Sequence, residues 1–592
     1  MPRNWPPCWP TKPVSEPAGR RLRSRPGAFP GPGGASGAVL KATDLCRQRS
    51  GQVVLGGVSL ALGPGERMGV VGPNGVGKTT LLRILAGLEL PDAGRVELSP
   101  PSAAVGYLAQ NRQSPRQETV EQYLRTSCGI AQAEEAMGSA LAAVAAGDLS
   151  PAAQEGYDRA LARFNQVDPG GFRERAAARL AALGAGADLL GSSMATLSGG
   201  ELARAGLAAL TLSRFDVSLL DEPTNDLDFA GLEVLEQFVL ALRGGTVIVS
   251  HDRAFLARTV TAVLEIDPHT RKSVLYAGGW AAYLEEKALT AGHRQEAYEK
   301  YRRNREELTE RAQRERQWAT SGTSRERSAP KDKDKLQRDF RINKTEQLAA
   351  RARRTERALQ RLEEVGKPWE PWQLRYTLAT APRAGAVVVS LSEAVVQKGD
   401  FRLGPVDLLV EWGARVAVTG SNGAGKTTLV ETVLGRAPLV SGKRSMGPSV
   451  VPGELAQHRA GLVSPDGTYA GPAERLLAGF LRLSGLELAE ARSLLAKFGL
   501  GAEHVDRPLA TLSPGERTRA QLACFQAVSV NFLVLDEPTN HLDLPAIEQL
   551  EMALDAYEGT LLIVSHDRRL LEDLRVTHQA EVEEGQVKLT AR

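Results

Sequence analysis

The chain has 592 residues, a formal net charge of +3, and 24% charged against 42% hydrophobic residues, the composition of an ordinary globular protein. That length holds two to four domains of roughly 100–200 residues each. Four cysteines, Cys8, Cys46, Cys128 and Cys524, stand far apart with no C-x-x-C pair, which argues against a disulfide framework or zinc site and fits a reducing cytoplasm. No run of the sequence approaches the roughly 18–20 apolar residues that a membrane-spanning helix needs.

Residues 1–37 are rich in Pro, Gly and Arg, lack the apolar core of a signal peptide, and are expected to be disordered. The first informative stretch is MGVV at 68–71, followed by GPNGVGKTT at 72–80 and by Leu81, Leu82, Ile84 and Leu85 at helical spacing. Strand, Gly-rich loop, helix is the context of a phosphate-binding loop. Its glycines let backbone N–H groups curl round β- and γ-phosphates, with the helix dipole behind them. Lys78 supplies a point charge and Thr79 a hydroxyl for Mg²⁺. Further on come Gln110, an Ala- and Glu-rich stretch at 130–163 that favours helix, LSGGE at 197–201, SLLDEPTNDLD at 218–228 and VSHD at 249–252.

Residues 284–367 read as charged helix with thinly spaced apolar positions, broken by Ser, Gly, Thr and Pro at 320–330. Two helices of about 30 residues, on the order of 45–50 Å long, would form an antiparallel hairpin. Residues 311–361 carry 16 basic and 7 acidic side chains, so the positive charge of the chain is concentrated in this connector.

A second phosphate loop, GSNGAGKTT at 420–428, again follows an apolar run, at 416–419. Behind it lie Gln457, LSPGE at 512–516, FLVLDEPTNHLD at 532–543 and VSHD at 564–567. From the LSxGE motif onward the two copies stand 315 positions apart, whereas Lys78 and Lys426 stand 348 apart. About 33 extra residues therefore lie in the first copy between Gln110 and Leu197, expected as a helical arm at about 125–165. Two such loops in register make the chain a tandem ATPase.

This motif set, repeated in order, resembles the ATP-binding cassette (ABC) superfamily over about residues 38–592. The resemblance implies an α/β fold: two ABC-type P-loop NTPase cassettes at 38–282 and 383–592, joined by a long charged α-helical hairpin linker at 283–382. It implies head-to-tail pairing, with ATP held by Gly72, Pro73, Asn74, Gly75, Val76, Gly77, Lys78, Thr79 and Thr80 together with Ser513 and Gly515 in one site. In the other it implies Gly420, Ser421, Asn422, Gly423, Ala424, Gly425, Lys426, Thr427 and Thr428 with Ser198, Gly199 and Gly200. Thr79, Asp221 and Gln110, and Thr427, Asp536 and Gln457, would serve Mg²⁺, the two glutamines also contacting ATP. Glu222 and Glu537 would polarise the attacking water, and His251 and His566 would bond the γ-phosphate.

Three departures stand out. Pro514 replaces a glycine and removes one N–H donor, although proline suits a first helical turn. The repeats carry Asp226 against His541. No aromatic lies between Leu40 and Ser59 to stack on adenine, leaving Arg47 or Arg49, and only Phe401 is near in the second copy, so nucleotides other than ATP are compatible.

Within the superfamily the chain is similar to the F subfamily, whose members lack membrane spans, carry two cassettes and a charged linker, and act on the ribosome. The PTNHLD motif and GGWAAYLEEK at 278–287 carry this likeness. It implies a cytoplasmic monomer that binds the ribosome, rRNA and peptidyl-tRNA, through its linker, as a translation factor or an antibiotic-resistance protein. Arg325, Arg327, Lys331, Lys333 and Lys335, flanked by Trp318 and Phe340, are the RNA-contact candidates. The alternatives are the ATPase subunit of a transporter with separate membrane subunits, or a DNA-associated ATPase.

Overall fold

A computed structural model of the chain describes residues 37–328 and 383–592, except 50, 102, 110–117, 148–149, 198, 214, 226, 269, 384, 400, 456–460 and 541, together with 350, 354–355 and 357. Two compact units result. One comprises the chain up to Gly65 with Gly77–Asp226 and Gln237–Val249; the other comprises Glu66–Val76, Leu227–Glu236 and Ser250–Arg592. The division cuts across the repeats, since three pieces of the first copy belong with the whole of the second.

In the first copy β1 (Val39–Arg49) pairs antiparallel with β2 (Gln52–Leu62) on one side and, on the other, with β4 (Ala93–Ser99). β3 (Arg67–Val71) and α1 (Lys78–Leu85) flank the first phosphate loop. β5 (Val105–Leu108), β6 (Val217–Asp221) and β7 (Gly245–Val249) run side by side and parallel in the first unit. In the second unit β3 pairs parallel with β8 (Ala262–Ile266), and β8 antiparallel with β9 (Ser273–Ala277).

Between β5 and β6 lie α2 (Val120–Ser127), α3 (Ile130–Ala145), α4 (Pro151–Val167), α5 (Phe172–Ala182) and α6 (Gly199–Ser213). Thr119 and Gln122 close a capping box on α2, and Ser150 caps α4 ahead of Pro151 at the first helical position. α3 and α4 pack on each other as an αα-hairpin made of the extra residues of this copy. After β6 come α7 (Phe229–Ala241) and, after β7, α8 (Arg253–Thr259).

The connector begins as one helix of 50 residues, α9 (Gly279–Ser328), on the order of 75 Å long at ~1.5 Å per residue. The expected break at 320–330 is absent as far as Ser328: isolated Ser, Gly and Thr only lower helix propensity, and Pro330 lies beyond. Its first turns are bolted down. Trp280 and Tyr283 are buried, Tyr276 and Tyr283 each donate to Glu265 at 3.3 Å, and Lys287 donates to Glu265 at 2.8 Å and to the Tyr283 hydroxyl at 2.7 Å. Further along, Ala312 and Thr355 are buried within otherwise charged stretches.

The second copy repeats the plan. β10 (Val387–Lys398) pairs antiparallel with β11 (Phe401–Glu411) and β13 (Leu439–Met446). β12 (Arg415–Gly420) leads through the second phosphate loop to α10 (Lys426–Leu434). After β14 (Pro452–Leu455), the short strands β15 (Leu462–Val463) and β16 (Tyr469–Ala470) form an antiparallel pair of their own. With β14, β17 (Phe532–Asp536), β18 (Thr560–Val564), β19 (His578–Glu583) and β20 (Gln586–Ala591), β12 forms a six-stranded sheet in the order β14-β17-β18-β12-β19-β20, parallel except for β20. Alternate residues face opposite cores. Leu533, Leu535, Leu561 and Ile563 join one cluster, with Phe480, Leu495 and Phe525. Phe532, Val534, Leu562 and Val564 join the other, with Val388, Leu408 and Leu429. Burial on both faces makes this a doubly wound sheet, with the second phosphate loop following β12 in its interior. A helical layer, α11 (Leu476–Ser484), α12 (Leu488–Lys497), α13 (Ala502–Val505) and α14 (Pro514–Ala527), carries the LSPGE motif. α15 (Leu544–Asp555) follows β17, and α16 (Arg568–Asp573) follows β18.

Candidate nucleotide sites and the contacts that link the repeats

The phosphate loops are cradles that side chains would fill. Gly420 and Gly425 have φ of 146° and 108°, and a Cβ there would lie 2.1 Å from the Val582 carbonyl and 2.6 Å from the Phe401 ring. Gly72 and Gly77 have φ of 149° and 109°, and a Cβ would meet the Ile266 carbonyl and the Val54 carbonyl, each at 2.9 Å. Only glycine fits these positions. Each loop thus curls its backbone at the N-terminus of a helix, with Lys78 or Lys426 as the first helical residue.

In the second copy the Lys426 ammonium donates to the carbonyls of Gly420 (2.8 Å) and Ser421 (3.1 Å) and to Asn422 Oδ1 (3.4 Å). It also lies 2.9 Å from His566 Nε2. An ammonium only donates, so Nε2 is the acceptor and the ring proton sits on Nδ1. Burial, reinforced by Lys426, pulls His566 down to about 4, so the imidazole is neutral. His566 Nε2 is 3.4 Å from Glu537 Oε1. Burial pushes the Glu537 carboxyl up to about 8, against the pull of Lys426.

Thr427 donates to Asp536 Oδ2 at 3.3 Å, and burial raises the Asp536 carboxyl. In the first copy burial likewise raises Asp221, which accepts from Thr79 and from the Tyr107 hydroxyl, the latter at 3.2 Å. Glu222 and Glu537, the next residues, have φ of 49° and 48°. A left-handed glutamate costs on the order of 1–3 kcal/mol, strain that concentrates at functional positions. Each is fixed by its own N–H, donated at 2.9 Å to Val249 or Val564.

Asp221 Oδ1, Glu537 Oε1 and His566 Nδ1 are buried and make no hydrogen bond among the described residues. No group of three or more His, Cys, Asp and Glu that could hold a metal exists among those residues. One carboxylate and one hydroxyl beside a phosphate cradle is instead a donor set that fits Mg²⁺, which takes few protein ligands and leans on substrate phosphates.

The LSPGE motif opens α14. Ser513 is its cap: the hydroxyl accepts from Glu516 N–H at 3.2 Å, and Ser513 N–H donates to Glu516 Oε2 at 2.7 Å. Pro514 is the first helical residue, where a missing N–H is harmless. Capping uses the hydroxyl as acceptor and leaves its proton to donate. Gly515 is buried in the first turn. In the first copy Gly199 and Gly200 open α6.

Gln110, Ser198, Gln457, Asp226, His541, Lys331, Lys333 and Lys335 lie outside the described residues, while Arg325 and Arg327 lie on the backbone of α9. Arg47 bonds Glu89 (2.9 Å) and Asp92 (2.6 Å), and Arg49 bonds Glu89 (2.7 Å), contacts that engage the edges of the two guanidinium groups.

Sequence reasoning missed the contacts that join the copies within the second unit. Asp228 Oδ2 accepts from the backbone N–H of Asn422 at 3.1 Å, and Asp543 Oδ2 from that of Asn74 at 2.9 Å. Each aspartate closes the PTNxLD motif of one copy and grips the phosphate loop of the other. Its second oxygen caps the following helix, at Gly231 (2.9 Å) or Ala546 (3.1 Å). Arg253 pairs with Glu551, and Arg568 with Glu233 (3.1 Å) and Glu236 (3.3 Å). Arg253 and Arg568, like Glu236 and Glu551, are 315 apart, so one pair is the other's image under the internal repeat.

The family model described as ABC transporter matches residues 55–225 and 403–540. Tylosin resistance ATP-binding protein TlrC of Streptomyces fradiae is 35% identical, over 90% of this chain and 96% of its own length. ABC transporter F family member 2 of Arabidopsis thaliana is 30% identical over 92% of this chain and 76% of its own. Energy-dependent translational throttle protein EttA of Mycobacterium tuberculosis is 32% identical over 89% and 88%.

Proposed function

We propose, from the premise that the chain belongs to the F family of ATP-binding cassette proteins, that it is a Mg²⁺-dependent ATPase acting on the ribosome. Cassettes of this family bind and hydrolyse ATP. The observation that carries the tandem mechanism is the reciprocal grip of Asp228 on Asn422 and of Asp543 on Asn74, which makes each phosphate loop depend on the other copy.

In each site the loop amides at 72–80 or 420–428 and Lys78 or Lys426 bind the phosphates. Thr79 with Asp221 and Gln110, and Thr427 with Asp536 and Gln457, would hold Mg²⁺, which would supply positive charge to the bound phosphates. Ser198 with Gly199 and Gly200, and Ser513 with Gly515, donate from the opposite copy. Glu222 and Glu537, in their deprotonated forms, take the proton of the attacking water, their carboxylates aimed by the left-handed backbone. His251 and His566 donate to the γ-phosphate. For His566 this requires Lys426 to leave Nε2 and the ring proton to move from Nδ1 to Nε2, so phosphate binding exchanges a Lys–His contact for two contacts to phosphate.

The domains are cassettes at 38–282 and 383–592 and a linker at 283–382 that supplies the contact with RNA. TlrC is named for tylosin resistance and EttA as a translational throttle; a basic helical connector between two cassettes suits rRNA and tRNA phosphates in either task. Both halves of each site come from one chain, as a monomer requires. No helix among the described residues is long and apolar enough to cross a membrane, and we place the protein in the cytoplasm.

The deciding experiment is sedimentation of the Glu222→Gln/Glu537→Gln double variant with ribosomes on a sucrose gradient containing ATP. Co-sedimentation that is lost without nucleotide is expected; a variant that stays at the top of the gradient sinks the ribosomal reading.

A further inference from the structure

Phe229 is the first residue of α7, directly after the aspartate that grips the second phosphate loop. Its ring meets the His566 ring edge to face, centroids 5.2 Å apart and planes at 76°. The Arg568 guanidinium carbon lies 5.8 Å from the centre of the Phe229 ring, and Arg568 is itself held by Glu233 and Glu236 of α7. Phe229 also packs against the core cluster of the second copy. The equivalent residue 315 positions on is Leu544, an aliphatic side chain that follows Asp543.

The imidazole of His566 needs such a neighbour. Rotation about its last side-chain bond is intrinsically broad, and Nδ1 makes no hydrogen bond among the described residues that would fix the ring from behind. On the front, Lys426 and Glu537 contact the same atom, Nε2, which sets a distance but not a plane. An edge-to-face aromatic contact does set the plane, and is strong enough to favour one orientation by roughly two- to tenfold.

We infer that Phe229 is a positioning residue for His566, so that the first copy orients the histidine of the second copy's phosphate loop and the two sites are unequal by construction. The inference rests on the ATPase reading for its consequence and on geometry for its substance. Phe229 touches no reacting atom; it acts through the histidine. Leu544, the equivalent residue of the other copy, has no ring with which to make this contact.

Two measurements test it. The first is steady-state ATP hydrolysis in a Glu222→Gln background, where turnover reports the site at 420–428. Phe229→Leu, which installs the side chain of the other copy, should lower kcat about threefold to tenfold with KM within about twofold, and Phe229→Tyr should restore it. In a Glu537→Gln background the same substitution should lower the residual turnover less than twofold. An equal fall in both backgrounds, a rise in KM alone, or no fall in the first background overturns the proposal. The second is the ring-proton resonance of His566 in the full chain, assigned with His566→Ala. Loss of the Phe229 ring current should move it in Phe229→Leu and not in Phe229→Tyr; a resonance indifferent to Phe229→Leu overturns the proposal. A wild-type chain without ATP turnover would fell the ATPase reading instead, and the resonance would then decide the contact by itself.

Discussion

Asp543 Oδ2 accepts a hydrogen bond from the backbone N–H of Asn74 at 2.9 Å, so the second copy's PTNHLD motif ends on the first copy's phosphate loop. A hydrogen bond to a charged acceptor contributes about 1.5–3 kcal/mol. Asp543→Ala should weaken nucleotide binding at the loop 72–80 by about tenfold or more, measured by titration with a fluorescent ATP analogue in a Lys426→Ala background. Asp543→Asn keeps the cap on Ala546 and loses only the charge, so it should fall between parent and alanine variant.

Arg253 and Glu551 are 5% and 13% exposed at their side chains, a nearly dry ion pair. Removing one partner of such a pair leaves an uncompensated charge and costs about 3–5 kcal/mol. Glu551→Leu should therefore lower the midpoint of urea unfolding sharply, whereas Arg253→Met/Glu551→Leu should recover most of the loss. Arg568 is more exposed and shares two acidic partners, so Glu236→Leu should cost less than Glu551→Leu.

Asp252 caps α8 through the Phe255 N–H at 2.9 Å. Burial pushes its carboxyl up to about 6, with the charge of Asp567, its counterpart in the other copy, as a further cause. Because an unfolded aspartate titrates near ~3.9, the folded state binds the proton more tightly. Stability should fall as pH rises from about 4 to about 6 and then level off. Asp252→Asn preserves the acceptor and removes the charge. It should raise the melting temperature at pH ~7–8, a gain on the order of 2 kcal/mol, and the gain should vanish below pH ~4.

Changing Arg325, Arg327, Lys331, Lys333 and Lys335 to Gln should weaken ribosome binding and flatten its salt dependence. Each lost phosphate contact reduces the log–log slope by about 0.7–0.9. Pelleting at a series of KCl concentrations measures the slope, and ATP turnover without ribosomes reports whether the variant is folded. An unchanged slope would remove these residues from the interface.

The duplicated cassettes and their phosphate loops could be read from the residues because the backbone there has few solutions: a Gly-rich turn between an apolar strand and a helix leaves its mark in adjacent letters. The positions of the Asp-Glu pairs and of His251 and His566 follow for the same reason, each at or just past the end of a short buried strand. Asp228, Asp543 and Phe229 were not legible in this way, because their role is set by residues about 200–470 positions away, at Asn422, Asn74 and His566. The offset of 315 was the available signal, since it matches Arg253 to Arg568 and Glu236 to Glu551. α9 runs on past the Ser, Gly and Thr that read as a stop, because flanking Arg and Glu carry the helix across them.

The clamp of Tyr276, Tyr283 and Lys287 on Glu265 has a mechanical corollary. A rod about 75 Å long whose foot is locked to a strand pair is a pointer: tilting that strand pair by about 5° sweeps the far end through roughly 6 Å, about one helical turn. A rotation of that strand pair by a few degrees would thereby become a displacement the size of a nucleotide base at the pointer's end.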